Sequence, residues 1–181
     1  MLLFINACVR ENSRTLRIAK AFLKDKEYVE LKLDEMNLLP LNNERLEIRN
    51  KLLEKQDYNN PMFALSRQFS QADEIVIAAP FWDNAFPALL KIYLENIYVI
   101  DIVSKYDEMG NVVGLCKAKT LTYITTAGAK YISDYSFDYI KTTASVCFGI
   151  KEVKLIKAEM LDIDGVDANR IVDEVIKNMK A

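Results

Sequence analysis

At 181 residues, 51% of them hydrophobic and 28% charged, the chain has the size of one ordinary domain and enough apolar surface for a full core. Its formal net charge of -2 offers no basic face for nucleic acid and little attraction to an anionic membrane surface. Histidine is absent, which excludes a Ser-His-Asp triad, a Cys-His dyad and any zinc site that needs imidazole.

Leu2 to Ala7 is a continuous apolar run, as in a strand covered on both faces. Asn12 or Ser13 can cap a helix whose apolar side is Leu16, Ala19 and Leu23, with Ile18 and Phe22 beside it. Val29, Leu31 and Leu33 alternate in a second strand over Tyr28 to Leu33. After a polar stretch with Pro40, two helical pieces follow at about Glu44 to Lys55 and Met62 to Gln71. Glu74 to Ala79 is another buried strand, stopped by Pro80.

Pro87 sits where a helix would begin, a place that tolerates proline, and Leu89, Leu90, Tyr93, Leu94, Ile97 and Tyr98 recur at helical spacing. Gly110-Asn111 signals a turn within a small hairpin over Tyr106 to Gly114. Lys119 to Thr126 reads as a fourth strand, Ser133 to Phe148 as a helix ending near Gly149, and Glu152 to Ala158 as a fifth strand. Asp167 caps a last amphipathic helix with Ala168, Ile171, Val172, Val175, Ile176 and Met179 on its apolar face. Strand and helix thus alternate through residues 1–181 as a single domain without repeat or linker. The predicted fold is α/β, a three-layer sandwich with a five-stranded parallel sheet in the flavodoxin-like order 2-1-3-4-5.

Cys8, Cys116 and Cys147 are odd in number and far apart, so a disulfide framework or a thiolate metal site is not expected, and the compartment reads as the reducing cytoplasm. The apolar start lacks a basic leader and ends by Arg10, which suits a strand rather than a signal peptide. No stretch free of charges is long enough to span a bilayer.

In this fold ligands sit beyond the carboxyl ends of the strands, where three loops qualify. The first, Ala7 to Leu16, joins a strand to a helix start, where free amides favour an anion; Ser13 and Thr15 add hydroxyls and Arg10 and Arg14 add charge. A helix cap with solvated arginines accounts for the same residues. Neither a Gly-x-Gly-x-x-Gly run nor a Walker lysine is present, against a dinucleotide fold or a P-loop. The second loop, Ala79 to Pro87, sets Phe81, Trp82, Asp83 and Asn84 between two prolines, fit either to cradle a planar ring or to cap the core. The third, Thr125-Thr126-Ala127-Gly128-Ala129, is small enough for a close ligand approach, or simply a tight turn.

These three segments, together with Leu90-Lys91, Tyr106, Gly110, Gly114-Leu115 and Lys119, resemble the FMN-dependent NADH-azoreductases and their quinone-reductase relatives along nearly the whole chain. The family's usual Met-Tyr-Asn-Phe is here Phe81-Trp82-Asp83-Asn84, its Ser-Arg-Gly-Gly is Thr126-Ala127-Gly128-Ala129, Cys8 stands where serine is common, and Tyr131 where a histidine is often found. The resemblance implies FMN bound by Cys8, Arg10, Ser13, Arg14 and Thr15, by Pro80, Phe81, Trp82, Asp83 and Asn84, and by Thr125, Thr126, Ala127, Gly128 and Ala129. FMN is expected over FAD, since a helix-start loop suits a terminal phosphate and no second nucleotide motif is visible. The implied reaction is ping-pong: NADH or NADPH gives a hydride to the flavin, and a quinone or an azo or nitro compound then takes two electrons. Tyr131 is the candidate proton donor, by its position and the lack of histidine. The resemblance also implies a homodimer with the flavin at the subunit interface, for which Ile92 to Val103, with Tyr93, Tyr98 and Tyr106 nearby, is a candidate surface, core helix being the other reading. The rivals are a flavodoxin-like electron carrier without its own NAD(P)H activity and a flavin-free binding module on the same fold.

Overall fold

β1 (Leu2–Asn6) is buried along its whole length, because it lies in the middle of a sheet covered on both faces. The computed structural model describes residues 1–179. In chain order β1 is followed by α1 (Arg14–Phe22), β2 (Tyr28–Lys32), α2 (Asn43–Glu54), α3 (Ala64–Gln71), β3 (Glu74–Ala78) and α4 (Ala88–Ile97). Then come the strands β4 (Ser104–Tyr106) and β5 (Val112–Gly114), β6 (Thr120–Thr126), α5 (Phe137–Thr142), β7 (Glu152–Ala158) and α6 (Ala168–Asn178). Five strands form one parallel sheet in the order β2-β1-β3-β6-β7, while β4 and β5 pair antiparallel as a separate hairpin. This is the predicted 2-1-3-4-5 order, renumbered by the hairpin strands.

Strand alternation sorts the core into two layers. Leu3, Ile5, Ile75, Ile77, Leu121 and Tyr123 face Phe69 of α3, Leu90, Tyr93, Leu94 and Ile97 of α4, and Ile140 of α5. Leu2, Phe4, Val76, Ala78 and Ile124 face Ile18 and Ala19 of α1 and Ala168 and Val172 of α6. Each large side chain so buried contributes roughly 1.5–3 kcal/mol. α2 buries no residue fully and leans on the first layer through Leu52 and Leu53. The caps follow the sequence: Ser13 Oγ accepts the Leu16 amide, Asn42 Oδ1 that of Arg45, and Asp167 Oδ1 that of Arg170. No helix of the described residues is long and apolar enough to cross a membrane.

Two expectations change. The helix predicted from Ser133 begins only at Phe137. The segment before it is a turn, closed by the Asp138 amide on the Ser133 carbonyl and by Ser133 Oγ on Asp138 Oδ2 at 2.6 Å. Past Thr142 the coil widens to a π-turn over Thr143–Cys147, with the Phe148 amide on the Thr143 carbonyl, and stops at Gly149 (φ 78°). The stretch Ile92 to Val103 is largely core rather than a free surface: Tyr93, Leu94, Ile97, Val99, Ile102 and Val103 are buried, since the chain turns inward after α4. Tyr106, on the hairpin, is exposed.

The hairpin is fastened to the end of the π-turn after α5 by a contact between backbones. Gly114 and Gly149 touch, and a Cβ built on Gly114 would fall onto the backbone of Phe148 and Gly149. At the hairpin tip Gly110 has φ 81° but open space around it. Gly114→Ala should therefore lower stability by about 3 kcal/mol through the forced shift of packed backbone. Gly110→Ala should cost only about 1 kcal/mol, the strain of a left-handed residue. Urea unfolding midpoints of the two variants check the ranking, and equal losses would contradict it.

Candidate functional site

The sheet reverses its winding between β1 and β3, and at that switch point the strand ends open into a cleft of about 510 Å³. Its wall is built from Val9, Arg10 and Asn12 to Thr15 of the first loop, Pro80 to Trp82 of the second, Thr126 to Gly128 of the third, and Leu161 and Asp162 after β7.

The first loop leaves β1 on fixed bonds. The buried Asn6 accepts the Cys8 amide at 3.0 Å and donates to Glu30 at 2.8 Å, and the Ala7 amide reaches the Ala78 carbonyl at 2.9 Å. The chain turns with the Ser13 amide on the Arg10 carbonyl, and α1 begins. The amides of Arg14 and Thr15, in the first turn of α1, have no acceptor among the described residues. They give the cleft a partial positive charge, to which Arg10 adds; Arg10 makes no ion pair among the described residues. Thr15 is fully buried and its Oγ1 lies 2.6 Å from that of Thr126, a bond that ties the first loop to the third. Arg14 reaches across the wall to Asp162 Oδ1 at 2.9 Å and to the Leu161 carbonyl at 3.3 Å.

The second loop extends the ladder beyond β3, with the Ala79 amide on the Ile124 carbonyl and the Phe81 amide on the Thr126 carbonyl, both at 3.0 Å. It then folds back on itself. Trp82 and Ala85 exchange backbone hydrogen bonds at 2.9 and 2.8 Å around Asp83 (φ 49°) and Asn84 (φ 64°). Both central residues are left-handed, the signature of a type I′ turn, here made without glycine. Phe81 and the half-exposed Trp82 stand in the cleft wall as its aromatic side.

The third loop is zipped to the segment after β7. The Ala127 amide meets the Ala158 carbonyl at 2.9 Å, and the amides of Met160, Leu161 and Asp162 return to the carbonyls of Ala129, Ala127 and Gly128. Gly128 lies so close that a Cβ there would meet the Asp162 carboxyl, which would have to swing aside.

The cleft thus gathers Arg10, Ser13, Arg14, Thr15, Pro80, Phe81, Trp82, Thr126, Ala127 and Gly128 from the sequence-derived set. The others lie elsewhere. Cys8 is buried below the first loop with Sγ 3.7 Å from the Ala78 carbonyl, and burial pushes its thiol up to about 11. Asp83 and Asn84 form the tip of the turn beside the cleft. Thr125 is fully buried, its hydroxyl without a protein partner among the described residues, and Ala129 serves through its carbonyl. Tyr131 is buried with its hydroxyl 2.6 Å from Ser136 Oγ and accepting the Phe137 amide at 3.2 Å, so the phenol fastens the start of α5 instead of lining the cleft. Burial raises its pKa, which opposes loss of its proton. Its ring packs edge-on against Phe81 at 4.9 Å and so supports the aromatic side from behind. Leu161 and Asp162 were not singled out by sequence, since only the non-local pairing with Ala127 and Gly128 brings them in. The one available signal was the general rule that every strand end of such a sheet can contribute.

A family described as flavodoxin-like fold matches the chain over residues 1–181. The chain is 35% identical, over 97% of its own length and 92% of the other's, to an FMN-dependent NADH:quinone oxidoreductase of Clostridium beijerinckii. It is 34% identical to a protein of the same name from Coprothermobacter proteolyticus, over 92% and 89% of the two chains. Among solved structures, an azoreductase from Bacillus anthracis superposes with a TM-score of 0.85 at 20% identity, covering 98% of this chain and 95% of that one.

The geometry of Tyr131 makes a specific forecast. Tyr131→Phe removes a hydroxyl that serves the start of α5, so stability should fall by about 1–2 kcal/mol as Ser136 and the Phe137 amide lose their partner. Affinity for a ligand of the cleft should stay within about twofold, since the ring and its packing on Phe81 remain. Thermal unfolding and a ligand titration on the same variant check both halves.

Proposed function

Because the chain belongs to the family described as flavodoxin-like fold, we propose that it is an FMN-dependent NAD(P)H oxidoreductase that reduces quinones or related aromatic acceptors. The named relatives support a reductase over a passive electron carrier. The observation that carries the reading is the meeting, in one cleft at the sheet's switch point, of unpaired helix-start amides with an aromatic wall. A volume of about 510 Å³ lies within the roughly 300–1,000 Å³ of small-ligand sites.

The residues present fit the cofactor. The amides of Arg14 and Thr15, with Ser13, Arg10 and Arg14, would hold the terminal phosphate at the start of α1. Phe81 and Trp82, and the small Ala127 and Gly128, would bound the ring system, with the amides of the Asp83–Asn84 turn and of Gly128 and Ala129 offering hydrogen bonds to its polar edge. When bound, FMN supplies the two-electron hydride chemistry that amino-acid side chains lack. The chain orients the ring, keeps one wall dry with Phe81 backed by Tyr131, and balances the phosphate's charge. With Tyr131 turned to α5, the proton for a reduced quinone would come from water at the open side of the cleft.

The whole of residues 1–181 is proposed to act as one cytoplasmic domain; three free cysteines support a reducing compartment. A homodimer is proposed as the working form, with its surface on the hairpin and the π-turn after α5 in place of the Ile92 to Val103 stretch. Exposed Tyr106, Met109 and Val146 on neighbouring segments support this, apolar residues that a lone molecule would leave in water.

The purified protein should be yellow, and anaerobic NADH or NADPH alone should bleach it, with added quinone restoring the colour. Bleaching only through a separate reductase would return the chain to the electron carriers, and a colourless protein that takes up no FMN would end the reading. On a sizing column it should elute as a pair of chains.

A further inference from the structure

We propose that Asp162 is a positioning residue that holds Arg14 across the cleft wall and yields it to the cofactor's phosphate, so that it sets how strongly the site prefers FMN over unphosphorylated riboflavin. The inference rests on the flavin reading above and concerns a residue outside the three loops that carry the family resemblance.

Asp162 is placed by other contacts than its ion pair. Its amide donates to the Gly128 carbonyl at 2.9 Å, which sets its backbone beside the third loop, and its carboxyl lies close over Gly128. From that fixed point it binds Arg14 Nη1 at 2.9 Å, while the Leu161 carbonyl, 3.3 Å from the same nitrogen, keeps the guanidinium at the wall. Both partners line the same cleft, next to the unpaired amides that begin α1.

The exchange is easy because the pair stands in water. The Arg14 side chain is 41% exposed and that of Asp162 is 72% exposed, so their attraction is screened. A phosphate dianion offers the guanidinium fork a better-matched, doubly charged partner at the mouth of a helix that already favours anions. Arg14 then turns from one acceptor to the other within the same wall. Breaking the Arg14–Asp162 pair is then a cost that binding of the phosphate has to meet. Riboflavin, lacking the phosphate, leaves the pair intact and meets no such cost. Asp162 therefore keeps the arginine ordered in the open cleft and limits the affinity gained from the phosphate.

The test is a fluorescence titration of the flavin-freed full chain with FMN and, separately, with riboflavin. Asp162→Asn keeps the shape against Gly128 and removes the charge. It should raise the FMN-over-riboflavin preference about fivefold, the scale of an exposed ion pair. Arg14→Gln should lower that preference, and in its background Asp162→Asn should change it by less than about twofold, because the two residues act as a unit. An unchanged or lower preference in Asp162→Asn overturns the inference, as does strict additivity of the two substitutions or an equal shift for both flavins. A wild-type chain that binds neither flavin overturns the cofactor reading, and this inference with it.

Discussion

A parallel sheet covered on both faces can be approached only at the ends of its strands. The cover here is complete at the centre, where β1 has no exposed residue and β3 is exposed only in part at its first residue, Glu74. Backbone groups beyond the last ladder bonds are therefore the only main-chain groups of the sheet interior that a ligand can reach. The site follows from that constraint. Its loops are the overhang of β1, β3, β6 and β7, and each is held by main-chain bonds that carry the ladder one to three residues past the strand: Ala7 to Ala78, Phe81 to Thr126, Ala127 to Ala158. The Thr15–Thr126 hydroxyl pair then locks the start of α1 to the third loop. The cleft's shape is thus a property of the core as much as of its lining.

Much of this was legible in the sequence because its cause is local. The apolar runs of β1 and β3, the alternation of β2, and the capping side chains Ser13, Asn42 and Asp167 each act within a few residues. The boundaries of β7 came out as read. What escaped depends on partners distant in the chain. The start of α5 is set by the turn at Ser133 and by Tyr131, and a propensity reading across that turn runs the helix four residues too early. Cys8 lies in the first loop by number, but its side chain falls on the buried face with Phe4, so it reaches the core and not the cleft. Thr125 and Thr126 are adjacent and chemically alike; the strand's alternation sends one into the interior and the other into the cleft. Asp162 has no local signal at all, since only the pairing of two loops 34 positions apart gives it a role, as its amide bond to Gly128 shows.

The lack of histidine shapes what the chain can contribute to chemistry. The thiols of the buried Cys8 and the half-buried Cys116 are pushed up by desolvation, to about 11 and about 12, and burial raises the phenols of Tyr93, Tyr123 and Tyr131. These groups stay neutral over the ordinary range of pH, so they serve as packing and hydrogen-bonding surface. The protein's part is then that of a scaffold: helix-start amides at one end of the cleft, an aromatic wall at the other, and the Arg14 guanidinium between them, held by Asp162. An arrangement of this kind suits a cofactor that brings its own reactivity, because among the described residues no thiol or phenol lines the wall.

The turn at Asp83–Asn84 has one more consequence. Two adjacent side-chain-bearing residues in left-handed backbone are unfavourable in isolation, and here the reciprocal Trp82–Ala85 bonds and the ladder behind them hold the shape. A pair of glycines would adopt the same turn with less strain, but would leave the loop many other shapes to visit. Asp83 and Asn84 narrow that choice, and the loss of loop freedom falls on folding rather than on docking. The aromatic wall stands ready before any ring arrives, so successive partners that use the same face meet a surface that need not be rebuilt between visits.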